Sequence, residues 1–125
     1  MEERKERIGK AVDEAREDLI SLSRNIHDHP ELGFEEYKAL GFISDVLEKY
    51  GFQVQKGYGG LPTSFRADAR GMDGGPNIAF LAEYDALKGV GHGCGHNLIA
   101  TCAVGAFLGM ASVLHELPGR ICIIG

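Results

Sequence analysis

Apolar residues recur along the first quarter of the chain at three- and four-residue spacing: Ile8, Val12, Ala15, Leu19, Leu22 and Ile26, with charges on the opposite side. That spacing predicts one amphipathic helix of about six turns. It should end at His27-Asp28-His29-Pro30, because a residue preceding proline is pushed out of the α region. Pro30-Glu31-Leu32-Gly33 then reads as a turn. A second helix is predicted from about Phe34 to Tyr50, with Tyr37, Leu40, Ile43, Leu47 and Tyr50 on one face. Glu35 and Glu36 would favour the positive end of its dipole, and Gly51 suits the position just past its C-terminus.

The period changes after Gly51. Phe52 to Gln55 alternates as a strand, and Gly57, Gly59, Gly60 and Pro62 make a flexible connection. Ser64 to Ala69 and Ile78 to Tyr84 read as strands separated by the turn Gly71 to Asn77, so the two are expected to form a hairpin. Leu98 to about Glu116 is a helix of small, mostly uncharged residues. Its Gly105 and Gly109 are read as packing positions that let a backbone approach a sheet closely. Leu117-Pro118-Gly119 breaks it, and Arg120 to Ile124 is an apolar run of the kind found in buried parallel strands. The order α-α-β-β-β-α-β predicts an α/β domain with a mixed sheet, helices on both faces, and a right-handed final β-α-β crossover.

Composition narrows the classes. The 125 residues are 44% apolar and 25% charged with a net charge of −5, values of an ordinary globular domain. No basic patch is present and Trp is absent, which excludes a nucleic-acid platform. The charged N-terminus has no apolar core of a secretory signal. The uncharged run Leu98 to Leu114 falls short of the ~18 residues of a membrane span and is read as a buried helix, so no membrane partner is expected. Three cysteines without framework spacing suit a reducing compartment, and a cytoplasmic location is expected. Cys102 and Cys122 stand in apolar runs as buried small residues.

The chemistry concentrates in Gly89-Val90-Gly91-His92-Gly93-Cys94-Gly95-His96-Asn97, directly after a strand that leads into Glu83 and Asp85. A strand, a glycine loop and a helix together present side chains at the carboxyl end of an α/β sheet. Thiolate and imidazole suit zinc and its neighbours, and the glycines free the backbone for Cys94 and His96 to converge. Glu83 and Asp85 are within reach as ligands or as partners that orient an imidazole. Two other readings stand beside this one: a tight glycine loop with an incidental thiol, and a Cys94 nucleophile at a helix N-terminus with His92 or His96 as its base. A phosphate loop is excluded by the lack of Lys-Ser/Thr and of G-x-G-x-x-G spacing. His27, His29 and His115 are explained by favourable placement at helix C-termini.

Three segments, in order, resemble one family. Ile26 to Phe34 with Glu36 is similar to its H-x-H-P-E-L-x-F segment, Ala82 to Leu87 to its acidic-x-D-A-L-P segment, and Gly91 to Asn97 to its G-H-x-C-G-H-D/N segment. The family comprises co-catalytic metallopeptidases and amidohydrolases, among them aminoacylases, indole-acetyl-amino-acid hydrolases and aminobenzoyl-glutamate hydrolases. Asn97 and the Glu83-Tyr84 pair resemble most the aminobenzoyl-glutamate and dipeptide-cleaving branch. The resemblance implies a three-layer α/β/α zinc-exopeptidase-like catalytic domain, of which residues 1–125 would be the N-terminal portion. It implies two divalent metal ions, zinc or manganese, and hydrolysis of an amide bond in a dipeptide or an N-acyl or aminobenzoyl amino acid. Cys94 and His96 match metal ligands, Asp85 matches the supporting acidic residue, and Glu83 and His92 are further candidates. The general base, expected to be a Glu beyond Gly125, and a dimerisation domain that would make a homo-oligomer are not among these residues, so the chain alone is expected to be inactive. Lys88 departs from the family's proline. The rival from another class is a non-catalytic truncated or partner domain.

Overall fold

The computed structural model describes residues 1–125. The N-terminal apolar series is carried by two helices rather than one, α1 (Glu2–Glu14) and α2 (Arg16–Asp28), with a bend at Ala15 where ψ is 1°. The bend barely interrupts the hydrogen bonding, since the Ala15 amide still reaches Ala11 and Val12 and its carbonyl accepts from Leu19. Helix α3 (Tyr37–Lys49) starts later than its periodicity suggests, and Tyr37 and Tyr50 are exposed rather than on the buried face. Its C-terminus matches expectation. Gly51, at φ 90°, donates to Glu48 and the Phe52 amide donates to Leu47, the paired bonds of a Schellman ending.

Four strands, β1 (Gln55–Lys56), β2 (Phe65–Arg70), β3 (Met72–Leu81) and β4 (Pro118–Ile124), form one mixed sheet in the order β1-β2-β4-β3. The expected hairpin is not formed. β4 lies between β2 and β3, antiparallel to the first and parallel to the second. The reason is burial: β4 is the most continuously apolar strand, and the central position covers its Ile121 and Ile123 completely. The chain must therefore cross the start of β4 between β2 and β3. Gly71 makes that crossing, where a Cβ would overlap the carbonyl oxygens of Leu117 and Leu114, the latter at 2.5 Å. The glycine-rich segment after Met72 is a bulge that restores the ladder at Asn77–Arg120.

Helix α4 (His96–Ala111) joins β3 to β4, completing a parallel β-α-β unit. It packs on β3 and β4 and is covered in turn by α1 and α2, which is why it is apolar all round. Gly105 and Gly109 face the N-terminal helices and not the sheet. Gly105 meets Leu19, and Gly109 meets Ile8 and Val12. The bend at Ala15 thus lets α1 and α2 both follow α4. The helix ends at Ala111, short of the expected Glu116, and a 3₁₀ turn over Leu114–Glu116 follows. Glu116 there accepts from Arg4 at 3.2 Å and from Arg7.

One hydrophobic core joins Leu22, Ile26, Ile43, Leu47, Phe65, Phe107 and Ile123 on the helical side of the sheet. The helices expected on both faces lie over this one. The other face, bearing Asp68, Cys122 and Ile124, is partly open, and Leu81 at the edge is 66% exposed. Cys122 is accordingly half-buried, and Cys102 is exposed on α4, so neither is the fully buried residue that its apolar run suggests. No helix is long and apolar enough to cross a membrane.

Gly71→Ala should cost about 1–3 kcal/mol by overpacking the crossing, whereas Gly41→Ala, in open space within α3, should add up to about 1 kcal/mol from helix propensity. Urea midpoints of the two variants check both signs. A pH test concerns Glu116. The Arg7 and Arg4 hydrogen bonds hold its carboxyl below its ordinary 4.5. The unfolded state therefore binds more protons in that window, and the contribution is present above 4.5 and lost as pH falls through the lower folded value. Between pH 5 and pH 3 the urea midpoint of the wild type should fall further than that of Glu116→Gln.

Candidate metal centre

The ladder between β3 and β4 ends near Leu81 with the Ala82 amide donating to Ile124, but the chain stays extended. Ala82, Tyr84 and Ala86 are buried while Glu83 and Asp85 point outward. A period of two places both carboxylates on the same side. They meet His96, the first residue of α4. Asp85 Oδ1 lies 2.7 Å from His96 Nδ1, and Glu83 Oε2 lies 3.2 Å from Nε2.

Gly95 precedes His96 at φ 75°, a left-handed conformation open to glycine at little cost. This turn aims the first helical residue back at the strand end. Asn97, the next residue, is buried and donates to Ser23 Oγ at 3.1 Å, which anchors the start of α4 on α2. Leu87 and Gly91 close a tight turn through paired backbone bonds, and Lys88 sits exposed inside it.

The other predicted residues are placed differently. Cys94 is a free, exposed thiol in the loop, and no three of the His, Cys, Asp and Glu side chains converge as a metal-holding group. His92 turns inward beside His27, with ring centroids 6.4 Å apart. Both of its ring nitrogens are buried without a partner. Burial first, then the neighbouring His27 and His96, push its pKa down, which favours the neutral ring. His29 Nδ1 reaches the Asn25 carbonyl at 2.8 Å, as placement at a helix C-terminus requires.

The donor types present, imidazole and carboxylate at the strand end and a thiol in the adjacent loop, suit a divalent metal. Asp85 on Nδ1 is the arrangement in which a carboxylate orients an imidazole whose other nitrogen can hold a metal, and here Glu83 faces that nitrogen at 3.2 Å. The unpartnered nitrogens of His92 are a second unmet capacity beside the loop.

A cleft of about 320 Å³ opens next to these carboxylates, lined by Phe34, Glu36, Thr63, Glu83, Tyr84 and Asp85 among others. Phe34 is held at φ 69° and is 74% exposed, an uncommon backbone state for a bulky residue. The hydrophobic pattern treats Glu36 as a dipole-favouring residue, Tyr84 and Glu36 enter the site only through the family resemblance, and Thr63 is passed over. That pattern also misses Glu31, whose carboxylate accepts from the Lys38 and Ala39 amides at 3.0 and 2.9 Å and so caps α3. The Glu31 carbonyl accepts from Ala86 at 2.7 Å, tying this turn to the site. Removal of a cap of this kind costs about 0.5–2 kcal/mol, so Glu31→Ala should lower the urea midpoint accordingly while Glu31→Gln loses less.

Comparison with known proteins places this geometry. No family model matches the chain. It is 40% identical to a mouse (Mus musculus) Xaa-Arg dipeptidase over 97% of its length, and 34% identical to a p-aminobenzoyl-glutamate hydrolase chain of Escherichia coli over 87%. It covers 31% and 26% of those two proteins, so it spans about a third or less of their length. Among solved structures, a dinuclear metal-binding peptidase of the M20 family from Bacillus subtilis superposes with a TM-score of 0.77 at 29% identity, over 85% of this chain and 33% of that one. The fold is the mixed-sheet catalytic fold of such peptidases. By sequence and by fold the chain is similar to the N-terminal part of these metal-binding peptidases and amide hydrolases.

Proposed function

We propose that these residues form the first part of a co-catalytic metal centre that hydrolyses an amide bond in a dipeptide or an N-acyl or aminobenzoyl amino acid. One observation carries the reading: His96 at the start of α4 is engaged on its two ring nitrogens by Asp85 and Glu83. The relatives are a hydrolase of Xaa-Arg dipeptides and one of p-aminobenzoyl-glutamate, which supports a small substrate of this class. The dinuclear neighbour supports divalent metals, with zinc or manganese proposed. The adjacent cleft, about 320 Å³, is at the small end of ligand pockets.

In this reading His96 and Cys94 hold metal, with Glu83 and His92 as further donors. Divalent ions bound there supply Lewis acidity toward the amide carbonyl and lower the pKa of a water. Asp85 keeps the His96 ring oriented. Glu83 lies opposite Nε2, where it balances positive charge. The glutamate that moves the proton is assigned to a part of the enzyme other than these 125 residues, as are the remaining ligands and the surface that makes a homo-oligomer. A cytoplasmic setting suits the free thiol of Cys94. Neither rival gains a specific observation: Cys94 is a free exposed thiol with no hydrogen bond to His92 or His96.

Zinc titration of the chain by calorimetry tests the ligand assignment. The double variant Cys94→Ala, His96→Ala should bind at least about tenfold more weakly, the scale of losses at such sites. Equal affinity would remove Cys94 and His96 from the centre. The chain alone should not turn over a Xaa-Arg dipeptide or p-aminobenzoyl-glutamate, and robust hydrolysis would overturn the placement of the base elsewhere. Loss of a relative's activity to iodoacetamide but not to chelators would favour the thiol nucleophile.

A further inference from the structure

Between the Ala82 and Ala86 amides no backbone–backbone hydrogen bond holds the chain. Yet this stretch carries both carboxylates that grip His96, and a floppy loop would not keep two carboxylates on two nitrogens of one ring. What fixes it is the side chain of the residue between them. Tyr84 is 4% exposed, its ring stacks on Phe65 with centroids 6.1 Å apart, and its hydroxyl donates to the Thr63 carbonyl at 2.5 Å. Thr63, 3% exposed, donates its own hydroxyl to Glu36 Oε2 at 3.1 Å. Glu36, 8% exposed, accepts at its other oxygen from the Glu35 amide at 3.0 Å. The run thus begins at the entry to α3 and ends between Glu83 and Asp85.

We propose that Glu36, Thr63 and Tyr84 form a buried polar chain that positions Glu83 and Asp85 against the ring nitrogens of His96. All three are positioning residues. Packing alone does not require them: phenylalanine and valine would fill the same volume at positions 84 and 63 without burying a phenol and a hydroxyl. Buried polar groups cost free energy unless they are paired, and a fully paired network selects one geometry where an apolar contact tolerates many. Because side chains alternate along an extended segment, pinning Tyr84 inward pins its two neighbours outward. The same three residues line the cleft beside the carboxylates, so the chain also fixes the cleft wall.

The purpose assigned to this network rests on the metal-centre reading, but its geometry is tested without metal. Spectra of the His96 ring in the metal-free chain report its surroundings, and nuclear Overhauser contacts from the ring to the Glu83 and Asp85 side chains report their placement. In the wild type both contacts should be present. Tyr84→Phe and Thr63→Val should weaken both contacts, shift the ring resonances and weaken zinc binding about tenfold. Thr63→Ser and Glu36→Gln, which keep a hydroxyl donor and an acceptor, should retain the wild-type spectrum. Ile43→Val, in the core of α3, provides a variant of comparable stability loss, about 0.5–1.5 kcal/mol, and should leave His96 unchanged. Wild-type His96 spectra in Tyr84→Phe and Thr63→Val would overturn the proposal, as would an equal disturbance in Ile43→Val. If wild-type chain binds no zinc while the His96 contacts follow the variants as stated, the metal reading fails and the positioning network stands.

Discussion

The placement of β4 between β2 and β3 is the constraint on which the rest of the structure depends. β4 is paired on both edges and buries Ile121 and Ile123 against α4. Its parallel pairing with β3 demands a crossover, which α4 supplies, and that crossover brings the start of α4 to the carboxyl end of β3. The meeting of Glu83, Asp85 and His96 is a consequence. So is the need for a residue without a side chain at Gly71, where the chain crosses β4's beginning with no space for a Cβ.

Electrostatics at the strand ends are mutually supporting. A helix N-terminus stabilises anions, and Glu83 and Asp85 lie at that end of α4. The arrangement holds a ring whose two nitrogens are both spoken for, on a helix that Asn97 anchors to α2. Rigidity comes from elements on every side of the loop: the Glu31 carbonyl on Ala86, Ser23 on Asn97, and the Tyr84 side chain on Thr63.

Much of this is legible in the chain. The glycine loop, the acidic strand end and the small-residue helix point to the right corner of the fold, because ligand chemistry and hydrophobic period are local properties. The resemblance of three ordered segments names the family that the comparisons bear out. The hairpin expectation fails because a Gly-rich turn between two apolar runs signals a reversal of direction but not which strand lies alongside. The first helix is read as too long because its apolar period continues through the Ala15 bend. Gly105 and Gly109 are assigned to the sheet by pattern because spacing reports that a face is small but not what lies against it.

Sequence alone determined the identities that matter: a Cys-x-His loop between glycines, carboxylates two residues apart so that they share a side, and helices whose apolar stripes require burial. Tertiary structure decided the partners. Only the folded chain puts Asp85 and Glu83 on opposite nitrogens of His96, turns His92 inward to His27, uses Glu31 to cap a helix that begins six residues later, and runs Glu36 through Thr63 to Tyr84. The physical reason is that these contacts join residues far apart in the chain or on different elements. Their geometry is set by β4's central position and by which faces must exclude water, and neither is written in any local pattern.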